Sequence, residues 1–164
     1  KSLGSTKNCF VVNNVFYQNN TANDGSGDVY LQYNNINNMI KNNIIYASSQ
    51  GMFINQVDSS TGSSGNVFNN NLFYSSLAAS SGKWIIKGAS ITGFANYQKT
   101  GDANGMYSNP MFVSLPAFDF HIQASSPALN AGSEELPSII GLKDFFGGDR
   151  VSGASVDIGA HEIQ

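Results

Sequence analysis

Cysteine, charge and long apolar runs are all scarce in this chain of 164 residues, and each scarcity excludes a class of protein. Cys9 is the only cysteine, so the chain can form neither an internal disulfide framework nor a cysteine-rich zinc site. No apolar run approaches the roughly 20 residues that a membrane-spanning helix needs. The sequence therefore predicts no membrane span.

Charged residues make up only 12% of the sequence, and the formal net charge at pH 7 is −3. The eight Lys and Arg residues are scattered along the chain, so no basic face is available to contact a phosphate backbone. The hydrophobic share of 41% is too high for a disordered polymer. We therefore expect a folded, weakly charged protein without a nucleic-acid partner.

Turn-forming residues are abundant instead, with 21 Asn, 22 Ser and 17 Gly. These residues favour tight bends between short elements. No stretch of a dozen residues keeps apolar positions at helical spacing without an Asn, Gly or Ser interruption. The sequence predicts many short strands separated by turns, and little helix.

Three segments repeat the same pattern of two apolar residues, Asn-Asn, two apolar residues and Tyr. The first asparagines of the three pairs are 29 and 28 residues apart, which is a period typical of solenoids. Asparagine tolerates a positive φ and so permits a sharp bend, and stacked amides can hydrogen-bond from one repeat to the next. We therefore assign structural roles to Asn13, Asn14, Asn42, Asn43, Asn70 and Asn71.

A second set of short strands lies between these segments, at residues 29–32, 52–55 and 84–87. Each follows a loop of variable length that is rich in Gly and Ser. Strand, turn, strand, Asn-Asn bend and strand then form one coil. We expect the coils to stack in parallel, about 4.8 Å apart.

Residues 107–164 carry a different series of motifs, namely NPMFV, DFHI, SPALNAG, DFFGGDR and VDIGAHE. Together with the Asn-Asn repeats, this series resembles the pectate-lyase-like right-handed parallel β-helix proteins that bacteria secrete, in which a similar module closes the solenoid. The resemblance implies an all-β fold, a single-stranded right-handed parallel β-helix. Residues 1–106 would form its coils, and residues 107–164 the C-terminal coil or coils and the closing module of the same domain.

The resemblance also implies a secreted or cell-envelope protein whose partner is a polysaccharide. Such proteins usually run to several hundred residues, so we expect this chain to be the C-terminal part of a longer helix. An uncovered first coil would expose strand edges. Further coils, or self-association, are expected to cover it.

If the protein is an enzyme, the resemblance implies a polysaccharide lyase that cleaves uronate chains by β-elimination. The base that removes the proton would be Lys87 or Lys41, with His121 and Arg150 also to be tested. Calcium would be the cofactor, held by Asp24 and Asp28. The plainer reading makes the lysines solvated strand residues and the acids turn formers. Hydrolysis ranks lower because no suitable pair of carboxylates stands out.

Aromatic side chains offer a different signal, because a ring can stack on the apolar face of a sugar while amides bind its hydroxyls. Tyr30, Tyr33 and Trp84 are the candidates for substrate binding, although Trp84 fits a core position equally well. In the closing module, Arg150 paired with Asp157 or Asp149 would tie the last loops to the last coil.

The alternative function is therefore a non-catalytic glycan-binding, structural or adhesin-like segment of a larger secreted protein. An enzyme would place Lys or Arg beside carboxylates in a groove. A binding protein would show an aromatic platform without them.

Overall fold

The computed structural model describes residues 4–57, 62–134 and 137–164. Within these ranges the chain forms short strands of two to five residues, two α-helices and two 3₁₀ turns. The elements are β1 Thr6–Lys7, β2 Phe10–Val12, β3 Val15–Tyr17, β4 Val29–Leu31, β5 Asn35–Ile36, β6 Met39–Lys41, β7 Ile44–Tyr46, β8 Met52–Gln56, β9 Val67–Asn69, β10 Leu72–Tyr74, a 3₁₀ turn Ala79–Ser81, β11 Lys83–Ile86, β12 Ala89–Thr92, α1 Phe94–Thr100, β13 Met106–Tyr107, β14 Phe112–Ser114, a 3₁₀ turn Leu115–Ala117, β15 Asp119–Ile122 and α2 Pro137–Ile140.

Three sheets pair strands that lie about one sequence repeat apart. Their strand orders are β2-β6-β9, β3-β7-β10-β13 and β4-β8-β11-β12. In the second of these sheets, Val15 is level with Ile44 and Ile44 with Leu72, in parallel register. Among the described strands, β1 to β4 each pair on one side only, so their other edges have no strand partner within this part of the chain.

The predicted fold class, an all-β single-stranded right-handed parallel β-helix solenoid, is wrong. The described residues form five separate sheets, the remaining two being the parallel pair β1-β5 and the antiparallel pair β14-β15. β12 also runs antiparallel to β11, and two helices interrupt the strands. The structure is a mixed α/β arrangement of short, mostly parallel strands, because hairpins and a helix take up loops in which the repeat predicts no such elements.

The first asparagine of each pair occupies the bend between two strands. Asn13, Asn42 and Asn70 have φ values of 55°, 54° and 51°, in the left-handed region that asparagine tolerates. Their side-chain amides donate to backbone carbonyls of the closing segment, those of Asp157 (3.2 Å), Ser133 (2.8 Å) and Ala131 (3.2 Å). These bonds join the repeats to the C-terminal third of the chain.

The second asparagine of each pair belongs to a hydrogen-bond ladder that is exposed at Asn14 and buried at Asn43 and Asn71. The side-chain oxygen of Asn43 accepts from the backbone N–H of Asn14 (3.0 Å), and that of Asn71 accepts from the N–H of Asn43 (3.1 Å). The ladder ends at Asp102, whose carboxylate accepts from both the backbone N–H (3.0 Å) and the side-chain amide (2.9 Å) of Asn71. Polar groups inside the molecule are thereby paired across the layers.

The main apolar core lies between these sheets and contains stacked aromatic rings. Trp84 is fully buried, with its ring centroid 4.6 Å from that of Tyr97 in α1 and 4.8 Å from that of Phe53 in β8. A second cluster joins the repeats to the closing segment, and its buried members are Ile44, Leu72, Phe112, Ile122, Ala128 and Ile158.

Arg150 and Asp157 are both buried in the closing segment, but the expected ion pair between them is replaced by other bonds. The Arg150 guanidinium donates to the backbone carbonyls of Gly159 and Ala160, both at 3.2 Å. Asp157 accepts from the backbone N–H groups of other residues in the closing segment. The hydrogen bonds of both side chains thus go to loop backbone, while their charges interact without a direct hydrogen bond.

None of the helices in the described ranges has the length and apolar character needed to cross a membrane.

Candidate functional site

Tyr30 and Tyr33 lie together in a cleft of about 410 Å³. Their exposed fractions are 46% and 37%, so both rings are open to solvent. Amide and hydroxyl side chains surround them. We call this site the tyrosine cleft, and its lining residues are Gly4, Ser5, Thr6, Tyr30, Gln32, Tyr33 and Asn35.

The outward position of Tyr30 follows from the alternation of side chains along a strand. Its neighbours in β4, Val29 and Leu31, pack against the main core, so Tyr30 projects from the opposite face. β4 is the end strand of its sheet. The sequence pattern of a polar-tipped ring between two aliphatic residues is a sufficient signal for this arrangement.

The cleft is held in shape by several hydrogen bonds. The Asn34 amide donates to the Gly4 carbonyl (3.2 Å), which joins the two walls. With the Asn35 amide oriented to satisfy its neighbours, the Asn35 side-chain oxygen accepts from the backbone N–H groups of Gln32 (3.0 Å) and Tyr33 (3.3 Å). A site that is already ordered loses less conformational entropy on binding.

Trp84, the third aromatic candidate, is not available to a ligand. Its side chain is fully buried in the core between Phe53 and Tyr97. The assignment of Trp84 to substrate binding is therefore wrong. The sequence around Trp84 does not show whether its ring is exposed or buried. The ring is covered by α1, a helix that the sequence pattern did not predict.

The two candidate lysines lie in different sheets. Lys41 ends β6 and is half-buried, whereas Lys87 is exposed in the two-residue turn between β11 and β12. Lys87 has a φ of 52° and Gly88 a φ of 79°, as a tight hairpin requires. Lys87 thus does not end a strand beside a groove, and the structure does not bring the two lysines together.

Asp24 and Asp28 make separate hydrogen bonds. Asp24 is exposed and accepts from the Asn20 amide (2.8 Å) and the Ser26 backbone N–H (2.9 Å). Asp28 is buried and accepts from the Asn19 backbone N–H (2.6 Å). The described parts of the chain contain no group of three or more His, Cys, Asp and Glu side chains that could hold a metal ion. We propose no calcium site here.

A second polar cluster lies in the closing segment and contains both histidines. The Asp119 carboxylate is 2.6 Å from Nδ1 of His121, and this hydrogen bond is the main reason that the pKa of Asp119 is lowered. The rings of His121 and His161 are 4.5 Å apart, and Phe146 stacks on His121 at 3.7 Å. The two histidines are 40 positions apart along the chain. No sequence motif links residues at that spacing, so the sequence did not predict that they meet.

This histidine pair is poorly suited to a metal ion. Nδ1 of His161 accepts a hydrogen bond from the Ile122 backbone N–H (3.1 Å). A neutral imidazole that accepts at Nδ1 carries its proton on Nε2, so it has no free nitrogen for a metal. The arrangement is that of a neutral histidine used as a structural acceptor.

The His161 contact predicts a dependence of stability on pH. Burial and the neighbouring His121 lower the pKa of His161, and the charges of Asp144, Asp157 and Asp119 oppose that effect. The unfolded chain therefore takes up a proton near pH 6.5, before the folded chain does. The free energy of unfolding should fall as the pH drops from about 6.5 to the lowered pKa, and then level off. Urea unfolding at about pH 7.5 and about pH 5.5 should show this loss.

The matched control is His161→Asn, because the asparagine oxygen can accept from Ile122 but does not titrate. The variant should lose less stability than the parent protein over the same pH interval.

Asp28 contributes to the pH dependence of stability with the opposite sign. Burial raises its pKa to about 6, so its contribution to stability falls as the pH rises from about 4 to about 6. Equal pH dependence in parent and His161→Asn would contradict the assignment.

Comparison with known proteins adds one relative. The chain is 32% identical over 130 residues to the uncharacterized protein YwoF of Bacillus subtilis (strain 168), and the alignment covers 78% of this chain and 27% of that protein. This chain thus spans about a quarter of the length of the curated relative that it matches. No protein-family model matches the chain. No solved structure matches it significantly.

These comparisons assign no activity to the chain. The relative is uncharacterized, and the pectate-lyase-like resemblance gains no support from a family model. Neither carbohydrate binding nor secretion, both expected from the resemblance, is supported by the match. Any functional conclusion must therefore be argued from the side chains themselves.

Proposed function

We propose that this protein binds a polysaccharide through the tyrosine cleft and does not cleave it. The single observation that carries the proposal is the presence of two exposed tyrosine rings in one preformed cleft, among amide and hydroxyl side chains. Such rings can stack on the apolar face of a sugar, while the exposed side chains of Gln32 and Ser5 bind its hydroxyl groups. This combination is an aromatic platform, and its described lining residues include no Lys, Arg, His or carboxylate.

The proposal predicts that binding depends on both rings. Tyr30→Ala and Tyr33→Ala should each weaken binding of a soluble polysaccharide by about fivefold, since each removes roughly 1 kcal/mol of stacking. Affinity gel electrophoresis across a panel of neutral and acidic polysaccharides measures this directly. Tyr30→Phe, which keeps the stacking ring, should retain most of the affinity.

Phe118→Ala is a suitable control, because Phe118 is 68% exposed but lies outside the cleft. Its substitution should leave the retardation on the gel unchanged. If Phe118→Ala and the tyrosine variants weaken binding alike, the cleft is not the binding site.

β-Elimination is the alternative function, and the Asp119–His121 pair is the described group that could supply a base for it. Lys41 and Lys87 lie in different sheets. The Arg150 guanidinium donates its hydrogen bonds to backbone carbonyls of the closing segment. We therefore expect no rise in ultraviolet absorbance when the protein is incubated with pectin, alginate, chondroitin or heparin-like chains, with or without calcium. A rise would reveal the unsaturated uronide that elimination forms. Loss of that rise in His121→Asn would then assign the base.

The proposed location is the cell envelope or the extracellular space, where polysaccharide is accessible. The open edges of β1 to β4 support a further proposal, that these strands pair with another copy of the chain or with other parts of the protein. No basic face supports a nucleic-acid partner, and we propose none.

A further inference from the structure

We infer that the tyrosine cleft selects neutral polysaccharide and rejects chains of uronates. This inference rests on the function proposed above and concerns the chemical class of the ligand. It departs from the acidic substrate that the sequence resemblance implies. The observation behind it is the lining of the cleft, which contains polar but uncharged side chains throughout its described residues.

A uronate differs from a neutral hexose in one carboxylate, which must be paired when it leaves water. Burying an unpaired carboxylate is unfavourable, and the pairing group in a protein is usually Arg, Lys or a metal ion. The exposed lining offers the amide of Gln32 and hydroxyls at Ser5, Thr6 and the two tyrosines. These groups satisfy sugar hydroxyls but do not neutralise a carboxylate.

Among the described residues, Lys7 is the cation next to the lining in sequence, and it does not line the cleft. Lys7 follows Thr6 in β1, and successive side chains of a strand point to opposite faces, so Thr6 faces the cleft and Lys7 faces away. The net charge of −3 adds a weak repulsion toward a polyanion. Both effects act against an acidic chain.

The test uses affinity gels that contain a neutral polysaccharide, hydroxyethylcellulose or xyloglucan, or an acidic one, polygalacturonate or alginate. The protein should be retarded by at least one neutral chain and should migrate freely in the acidic gels. Retardation by the neutral chain should persist in about 0.5 M salt, where exposed charge interactions are screened. The Tyr30→Ala/Tyr33→Ala double variant should lose it.

Gln32→Lys provides the matched gain-of-function variant. Gln32 is exposed in the cleft wall, so a lysine there supplies the missing cation without entering the core. The variant should become retarded by polygalacturonate, with an effect that disappears in high salt.

The outcomes separate the two proposals. Suppose that polygalacturonate retards the parent protein and that the tyrosine double variant loses this retardation. That result would overturn the selection for neutral chains but would still support binding in the cleft. Failure of Gln32→Lys to gain acidic binding would also overturn the selection. Free migration in every gel, or retardation that persists in the double variant, would overturn the binding function of the cleft itself.

Discussion

Replacement of Asn43 by leucine is expected to destabilise the protein by about 3–5 kcal/mol, because it removes the middle of the asparagine ladder. Asn43 is fully buried. Its amide donates to the Val11 carbonyl (2.8 Å) and to the Asn71 side chain (3.0 Å), and its oxygen accepts from the backbone N–H of Asn14 (3.0 Å). Leucine has a similar volume but leaves the Val11 carbonyl and the Asn14 N–H without these partners. An unpaired buried group costs about 1–3 kcal/mol.

Asn14→Leu is the control for this prediction. Asn14 is exposed at the end of the ladder, and its backbone N–H bond to Asn43 survives the change. We expect that variant to lose less than about 1 kcal/mol. Urea unfolding followed by circular dichroism measures both. Similar losses in the two variants would show that the buried ladder contributes no more than an exposed amide does.

Replacement of Arg150 by methionine is expected to cost about 3–5 kcal/mol, because it leaves buried acids without their cation. Arg150 is 4% exposed, and it interacts electrostatically with the carboxylates of Asp144, Glu162 and Asp157. Burial lowers the pKa of its guanidinium, and these three charges oppose that shift. The carbonyls of Gly159 and Ala160 would also lose their donors.

Two further measurements identify the origin of this loss. Arg150→Lys keeps the positive charge but not the planar fork that reaches both carbonyls, so its stability should lie between those of the parent and Arg150→Met. Burial already raises the pKa of Glu162, and without Arg150 that pKa should rise further. The deficit of Arg150→Met should therefore shrink as the pH is lowered toward about 4, where carboxyl groups take up protons. A deficit that is independent of pH would assign the loss to packing and to the lost carbonyl hydrogen bonds, not to the buried carboxylates.

The candidate site was only partly predictable from sequence. Tyr30 alternates with two aliphatic residues, and that pattern is enough to place its ring outside the core. Trp84 is the second residue of β11 and follows a loop rich in Ser and Gly, yet Tyr97 of α1 stacks on its ring and covers it. No local pattern shows which later element will cover a ring. The pairing of His121 with His161 depends on the same kind of long-range packing.

From the sequence follow the bends at the Asn-Asn pairs and the parallel pairing of the strands in successive repeats. Asparagine accepts a positive φ at positions 13, 42 and 70, and the spacing of 29 and 28 residues brings like residues level in parallel strands. The tertiary structure alone decided the fold class, in which five separate sheets and two helices replace the expected solenoid. It also decided which aromatic rings stay exposed and that Arg150 binds carbonyls instead of Asp157. The physical reason is that bends and repeats are local properties of the chain, whereas burial and pairing depend on elements that are distant in sequence.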